Sequence, residues 1–228
     1  MQLYNDDMRN ILKDMADNSI DCIVTDPPYK TTPFGCTYGV GGMLIEEKFM
    51  KGKVFNNTID IKDYINELYR VLKDTGHCYI MCNNINLKDF LIEIENAGFH
   101  IFKTLIWAKS NCITNQFYMD SHEYIIFCRK GAAKKINNCG TRSVLYFDNV
   151  KNGINPTAKP VELMQVFIEN STKPGDTVLD PFMGSGSTGE ACIKSKRNFI
   201  GIEIDKEQFA KTKSSLDACS RFVKVGLI

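Results

Sequence analysis

Short apolar runs alternate along this chain with helical stripes, and that alternation narrows the possible folds more than any other feature. Runs at 21–25, 77–82, 101–107, 122–128, 177–180, 198–203 and 221–225 read as strands. Between them, Ile61, Tyr64, Ile65, Leu68, Tyr69 and Leu72 share one face at helical spacing. Leu87, Phe90, Leu91 and Ile94 form a second stripe, closed by Gly98. Val161, Met164, Phe167 and Ile168 form a third, ending before Pro174-Gly175. Strands alternating with helices predict a doubly wound α/β sheet, mostly parallel and covered on both faces. At 228 residues the chain accommodates one domain, 1–228, with insertions.

Two stretches break the rhythm. Residues 30–58 hold Pro33, five glycines and the aromatics Phe34, Tyr38, Phe49 and Phe55. Loops of this length are functional or disordered, and a mobile lid is the expectation here. Residues 131–158 are rich in Gly and Asn and carry no period. The window from Tyr124 to Phe147 contains Arg129, Lys130, Lys134, Lys135 and Arg142 and no acid. Alone, such a strip reads as a solvated basic loop; beside a base-binding motif it reads as a phosphate-contacting surface.

Composition excludes several classes. Apolar content of 43% and charged content of 24% suit a soluble globular protein. No run approaches membrane-spanning length and the N-terminus lacks a signal-peptide pattern, so a cytoplasmic protein that makes no use of a membrane is expected. Nine scattered cysteines, several inside strand runs, read as reduced buried thiols. Cys78 and Cys82 lie four apart in a strand run with no second pair to complete a zinc site, so no metal is expected.

Two strand ends carry the chemistry. The run Ile20–Val24 leads into Asp26-Pro27-Pro28-Tyr29. A carboxylate, two prolines and an aromatic ring thus stand where a strand meets a loop, which is where open α/β sheets bind ligands. The prolines stiffen the backbone and leave nearby carbonyls free to accept. A stiff cluster of acceptors beside a flat ring suits a planar guest with an exocyclic amino group. The second strand end, Thr177–Asp180, runs into Pro181-Phe182-Met183-Gly184-Ser185-Gly186-Ser187-Thr188-Gly189. Glycines there allow close backbone approach to a ligand and an abrupt helix start. The next strand ends in Glu203, which can accept from ribose hydroxyls. The glycine pattern also fits dinucleotide-binding folds. A carboxylate at the strand end, however, suits an ammonium group better than a pyrophosphate, which favours S-adenosylmethionine over NAD.

Taken together, Asp-Pro-Pro-Tyr followed by Asp-Pro-Phe-Met-Gly-Ser-Gly-Ser-Thr resembles the β group of S-adenosylmethionine-dependent DNA amino-methyltransferases, which act on adenine N6 or cytosine N4. The resemblance extends to Leu3-Tyr4-Asn5-Asp6-Asp7, Trp107-Ala108-Lys109-Ser110-Asn111, His122-Glu123-Tyr124 and Asn155-Pro156-Thr157-Ala158-Lys159-Pro160. The family often has His where this chain has Asn155 and Gln where it has Ala158, so the polar contacts of that segment do not carry over. The resemblance implies a Rossmann-like methyltransferase fold of seven strands, one antiparallel and containing His122–Cys128. It makes Asp26, Pro27, Pro28 and Tyr29 catalytic. It assigns Asp7, Asp180, Pro181, Phe182, Gly184, Ser185, Gly186, Ser187, Thr188, Glu203 and Lys159 to the cofactor, with Lys159 facing the methionine carboxylate or simply exposed before a helix. It places a short target-recognition region at 131–158. Lys30, beside the catalytic motif, joins the basic strip as a nucleic-acid contact. Asp in the motif's first position points to adenine, where Ser is commoner for cytosine. The expected partner is DNA, with homodimers common in the family. Cytosine-N4 methylation, an RNA or protein-glutamine substrate, an NAD-dependent oxidoreductase and an inactive nucleic-acid-binding module are the competing readings.

Overall fold

The computed structural model describes residues 1–28, 59–113, 118–150, 158–224 and 226. Tyr29, Lys30, the remainder of the expected 30–58 lid, and Asn155, Pro156 and Thr157 lie outside them. The elements run β1 (Gln2–Tyr4), α1 (Met8–Asp14), β2 (Ile20–Thr25), a 3-10 turn at Ile61–Asp63, α2 (Ile65–Val71), β3 (Leu72–Cys82), α3 (Leu87–Asn96), β4 (His100–Ile113), β5 (Asp120–Arg129), β6 (Val144–Tyr146), α4 (Val161–Ser171), β7 (Thr177–Asp180), α5 (Ser187–Lys194), β8 (Asn198–Ile202) and α6 (Lys206–Lys224).

The described strands form one sheet of eight, in the order β1-β8-β7-β2-β3-β5-β4-β6. Every pairing is parallel except those of β5 with β3 and with β4. The single antiparallel strand is the expected one, and the sheet has eight strands rather than seven. The count changes in three places. β1 and β6 are three-residue strands, too short to show a period. The run at 221–225 is not a strand, because α6 continues through Lys224.

Period-two alternation divides the core between the two faces. Ile23, Cys78 and Ile80 point to the face covered by α1, α2 and α3, where Leu12, Leu68, Phe90 and Ile94 meet them. Cys22, Val24, Tyr79 and Met81 point to the other, against Leu163 and Phe167 of α4, Cys192 of α5 and Leu216 of α6. A central strand buried on both sides needs such near-continuous apolarity. Tyr79 stacks between Phe127 at 4.8 Å and Phe167 at 4.7 Å, and this aromatic column ties β3, β5 and α4 together. Cys22, Cys78, Cys82, Cys128, Cys192 and Cys219 are buried free thiols.

The order of connections fixes where a ligand can sit. From β7 the chain passes through α5 outward to β8; from β2 it passes the opposite way to β3. The C-terminal ends of β2 and β7 therefore flank the crevice where the winding reverses. Asp26 follows β2 and Asp180 ends β7, so both acids stand at that crevice.

Candidate active site

The two strand ends are joined directly. Thr25 Oγ1 donates to Asp180 Oδ1 at 2.8 Å, and the Phe182 N–H donates to the same oxygen at 3.1 Å. The Thr188 hydroxyl adds a further bond to this carboxylate. Asp180 is 4% exposed, and burial pushes its carboxyl up to about 6 despite those donors. It is turned inward and pins the start of the glycine loop to β2 and α5.

The loop is held from both ends. Met183 N–H donates to the Ile202 carbonyl at 2.9 Å, and Gly186 N–H to the Met183 carbonyl at 2.8 Å. Thr212 Oγ1 and Gln208 Nε2 of α6 donate to the Gly184 carbonyl at 2.6 and 3.1 Å. Gly186 has φ of 84°, and a Cβ there would stand 2.7 Å from Thr212 Cγ2. Only glycine suits that turn, and Ser187 begins α5 at once. Glu203, just past β8, accepts from the Gly184 N–H at 3.0 Å and the Asp205 N–H at 2.8 Å. Burial raises its carboxyl above the usual range, and each oxygen keeps a lone pair for a hydroxyl donor. Phe182 is half-buried, its ring 5.0 Å from that of Tyr64 in an edge contact. Pro181 is buried beneath it, and Ser185 Oγ lies 3.3 Å from Ser187 Oγ. Asp7 caps α1 by accepting from the Arg9 N–H at 2.9 Å, and the Arg9 guanidinium beside it lowers its carboxyl.

Asp26 sits among charges that sequence reading did not assemble. Lys159, immediately before α4, donates to Asp26 Oδ2. The same Nζ lies 3.6 Å from Glu123 Oε2. Glu123, near the start of β5, accepts through Oε1 from Lys109 of β4, whose Nζ stands 4.6 Å over the Trp107 ring. Burial raises the Asp26 carboxyl, outweighing the pull of Lys159. Burial alone would lower the Lys159 ammonium, but Asp26 and Glu123 together hold it above the usual lysine range. The Glu123 carboxyl, which burial opposes, is lowered by Lys159 and Lys109. Asp26 Oδ1 is buried with no hydrogen-bond partner among the described residues. Pro27 is buried and Pro28 exposed. Trp107 is core, its Nε1 donating to the Phe147 carbonyl at 2.8 Å, and His122 stands edge-on to Tyr124.

The arrangement departs from expectation at three places. Lys159 reaches Asp26 and not open solvent. Lys109 and Glu123 belong to the site; both lie in segments that carry the family resemblance, 107–111 and 122–124, and the carboxylate inside a run otherwise fit for a buried strand was a second signal. Lys130 is no surface cation. Its Nζ donates to Asn18 Oδ1 at 2.7 Å and to the carbonyls of Leu72 and Arg70 at 2.9 and 3.3 Å, above the Tyr69 ring. It closes the end of α2 and has no proton left for a phosphate. Its neighbours share its end of the sheet. Arg129 pairs with His77, midway along β3, and with His100 at the N-terminal end of β4. Lys134 Nζ donates to the last carbonyl of α4, on Ser171, at 3.3 Å. Lys135 is exposed close by, and exposed Arg142 precedes β6. From His77 to Cys82 the sheet rises about 17 Å, which sets the backbone of Arg129 and the segment that follows it apart from the end of the strands that carries Asp26.

Among the described residues, no group of three or more His, Cys, Asp or Glu side chains is placed to hold a metal ion, and no helix is long and apolar enough to cross a membrane.

A family model for DNA methylases, N6_N4_Mtase, matches residues 20–214. The Type II methyltransferase M2.DpnII of Streptococcus pneumoniae is 29% identical over 96% of this chain and 90% of its own length. The Type II methyltransferase M.HpaI of Haemophilus parainfluenzae is 30% identical over 91% of this chain and 71% of its own. Among solved structures, the M1.HpyAVI-SAM complex superposes with a TM-score of 0.70 at 28% identity, covering 94% of this chain and 98% of that one. The cytosine-N4-specific PvuII DNA methyltransferase shares the fold, with a TM-score of 0.72 at 17% identity over 98% of this chain and 92% of that one.

Proposed function

This chain belongs to the DNA methylase family, and from that membership we propose that it transfers the methyl group of S-adenosylmethionine to adenine N6 of a base extruded from DNA. The observation that carries the reading is the Asp26 carboxylate at the winding reversal, one oxygen buried and without a partner among the described residues. An acceptor in that state awaits a donor, and an exocyclic amino group supplies one. The Type II relatives and the M1.HpyAVI-SAM complex support the cofactor and the DNA substrate. The aspartate in the motif's first position supports adenine.

The residues present suit the cofactor. Gly184 and Gly186 leave the loop backbone bare, Glu203 keeps lone pairs for ribose hydroxyls, and Phe182 offers a ring face at the rim. Asp180 acts through the loop it pins, and Asp7 through the turn it caps beside β1. Bound there, S-adenosylmethionine supplies a methyl group on a sulfonium. The protein's part is positioning and electrostatics. Asp26 Oδ1 accepts one N–H of the amino group, and the carbonyl of Pro27 takes the other. Both bonds draw the nitrogen lone pair out of conjugation with the ring. The nitrogen sheds one proton as the new N–C bond forms, and Asp26 is the acceptor within reach. Tyr29 stacks on the base, and the target leaves the helix because a paired base cannot reach the crevice. A DNA substrate places the protein with the nucleoid in the cytoplasm, and pairing as a homodimer belongs to the same reading.

Incubation with labelled cofactor and unmethylated DNA, followed by mass spectrometry of the nucleosides, tests this. N6-methyladenine is the expected product. N4-methylcytosine alone would move the target to cytosine. Label on RNA alone, or on nothing, would overturn the reading.

A further inference from the structure

Lys159 occupies two places at once. Its carbonyl accepts from Ser187 Oγ at 2.7 Å, at the first residue of α5 in the glycine loop. Its Nζ pairs with Asp26 Oδ2. Pro160 follows it as the N-cap of α4, so its backbone has little freedom. Its side chain is 12% exposed, against 18% for Glu123 and 16% for Lys109. Two cations and two anions, all partly buried and Asp26 the most exposed at 29%, thus neutralise one another beside the Asp-Pro-Pro-Tyr motif. Such clusters are weak sources of stability, because desolvation offsets the attraction. What the cluster does accomplish is geometric.

We propose that Lys159 is a positioning residue: it holds Oδ2 of Asp26 and so presents Oδ1 alone to the target amino group, with Glu123 and Lys109 holding Lys159 in turn. The proposal rests on the methyltransferase reading for the identity of the target, though not for the clamp itself. A protonated Asp26 would aim an O–H at an N–H and lose the acceptor. Burial pushes the carboxyl toward that state, and Lys159 opposes it. The groups around Asp26 are Lys159 ahead of α4, Glu123 on β5, Lys109 on β4, Asp180 on β7, Cys82 on β3 and Tyr64 ahead of α2. Burial pushes the Cys82 thiol up to about 12 and the Tyr64 phenol well above its ordinary value, so both stay neutral. Near neutral pH the charged neighbours are Lys159, Lys109, Glu123 and Asp180. Lys159 favours the ionised carboxylate; Glu123 opposes it.

The two neighbours therefore predict opposite shifts, which loss of packing would not give. The Asp26 carboxyl carbon is titrated by 13C NMR in the full-length protein, assigned against Asp26→Asn. Lys159→Gln should raise its pKa by about one unit or more, as expected for losing an opposite charge at contact, and Glu123→Gln should lower it. The acid limb of kcat should move the same way in each variant, with calorimetric cofactor affinity unchanged in Lys159→Gln and partial recovery in Lys159→Arg. An unmoved Asp26 titration in Lys159→Gln would overturn the clamp. So would a large loss of cofactor affinity with an unmoved acid limb, which would put Lys159 on the methionine carboxylate. The NMR titration needs no turnover, so a wild-type protein silent on DNA would sink the methyltransferase reading while the shift still judged the clamp.

Discussion

Single side chains divide here into those that face a ligand and those that only complete a buried network, and burial alone does not sort them. Asp26 and His77 show the contrast. Asp26 keeps one oxygen without a partner among the described residues. Asp26→Asn preserves shape and removes the charge that draws on the amino group. It should lower kcat by about 10²–10³-fold, the range for losing one preorganised electrostatic contact, and calorimetry should find the cofactor bound nearly as before. Lost cofactor affinity would contradict the assignment. His77 is satisfied on both nitrogens, Nδ1 by the Ser171 hydroxyl at 2.9 Å and Nε2 by the Lys134 carbonyl at 3.1 Å. Tyr79 reaches the same hydroxyl at 2.8 Å. Nε2 must carry the proton, leaving Nδ1 to accept. Burial lowers the imidazole to about 4 from its ordinary 6.5. A depressed histidine binds its proton first in the unfolded chain, so stability falls as pH drops from 6.5 toward 4 and levels off below. The difference amounts to about 3 kcal/mol at most. Asp26, Asp180 and Glu203, whose carboxyls burial raises, act with the opposite sign. Urea titrations of wild type and His77→Gln isolate the histidine: the variant should lose less stability over that interval, and equal losses would remove His77 as the cause.

At the scale of elements, what sequence could show depended on length and on separation. β2, β3, β4, β5, β7 and β8 announced themselves as apolar runs, and α2, α3 and α4 as stripes. β1 and β6 gave no signal, because three residues hold no period and β6 exists through its pairing with Ile106–Ala108 of β4. The apolar tail Phe222-Val223 read as strand, yet Phe209, Thr212, Leu216 and Cys219 at spacings of three and four share the inward side of α6, which packs on α5 and the glycine loop, and carry the helix onward. The site divided in the same way. The strand-end motifs were local and legible. The pairing of Lys159 with Asp26 spans 133 residues, and nothing local marks it. The glycine loop is where local rule and site requirement coincide. Gly186→Ala would force a left-handed residue, costing about 1–2 kcal/mol, and drive its methyl onto Thr212. The loop must then shift at the cofactor's seat. Cofactor Kd should rise about tenfold, equivalent to ~1.4 kcal/mol; an unchanged Kd would show that the turn does not shape the pocket.

For the whole molecule, the sheet's polarity decides which surface meets DNA. Asp26, Glu203, Lys109, Glu123 and Lys159 gather at the C-terminal edge of the parallel strands. β5 runs against the rest and returns the chain to the other edge, carrying Arg129, Lys130, Lys134 and Lys135 with it. Charge counted along the sequence suggested one basic strip beside the catalytic motif; the antiparallel strand separates them. Lys130 is consumed by Asn18, Arg70 and Leu72, and Lys134 serves the end of α4. Each phosphate contact removed from a DNA-binding surface flattens the salt dependence of affinity by nearly one unit of slope. Lys134→Ala with Lys135→Ala should therefore leave both DNA affinity and its slope against log salt unchanged. Fluorescence anisotropy across a salt series measures both. A slope reduced by one to two units would restore the strip as a phosphate contact and require DNA to wrap from one edge of the sheet to the other. An unchanged slope confines the path to the edge that carries Asp26, where an extruded base has the shortest route to the crevice between β2 and β7.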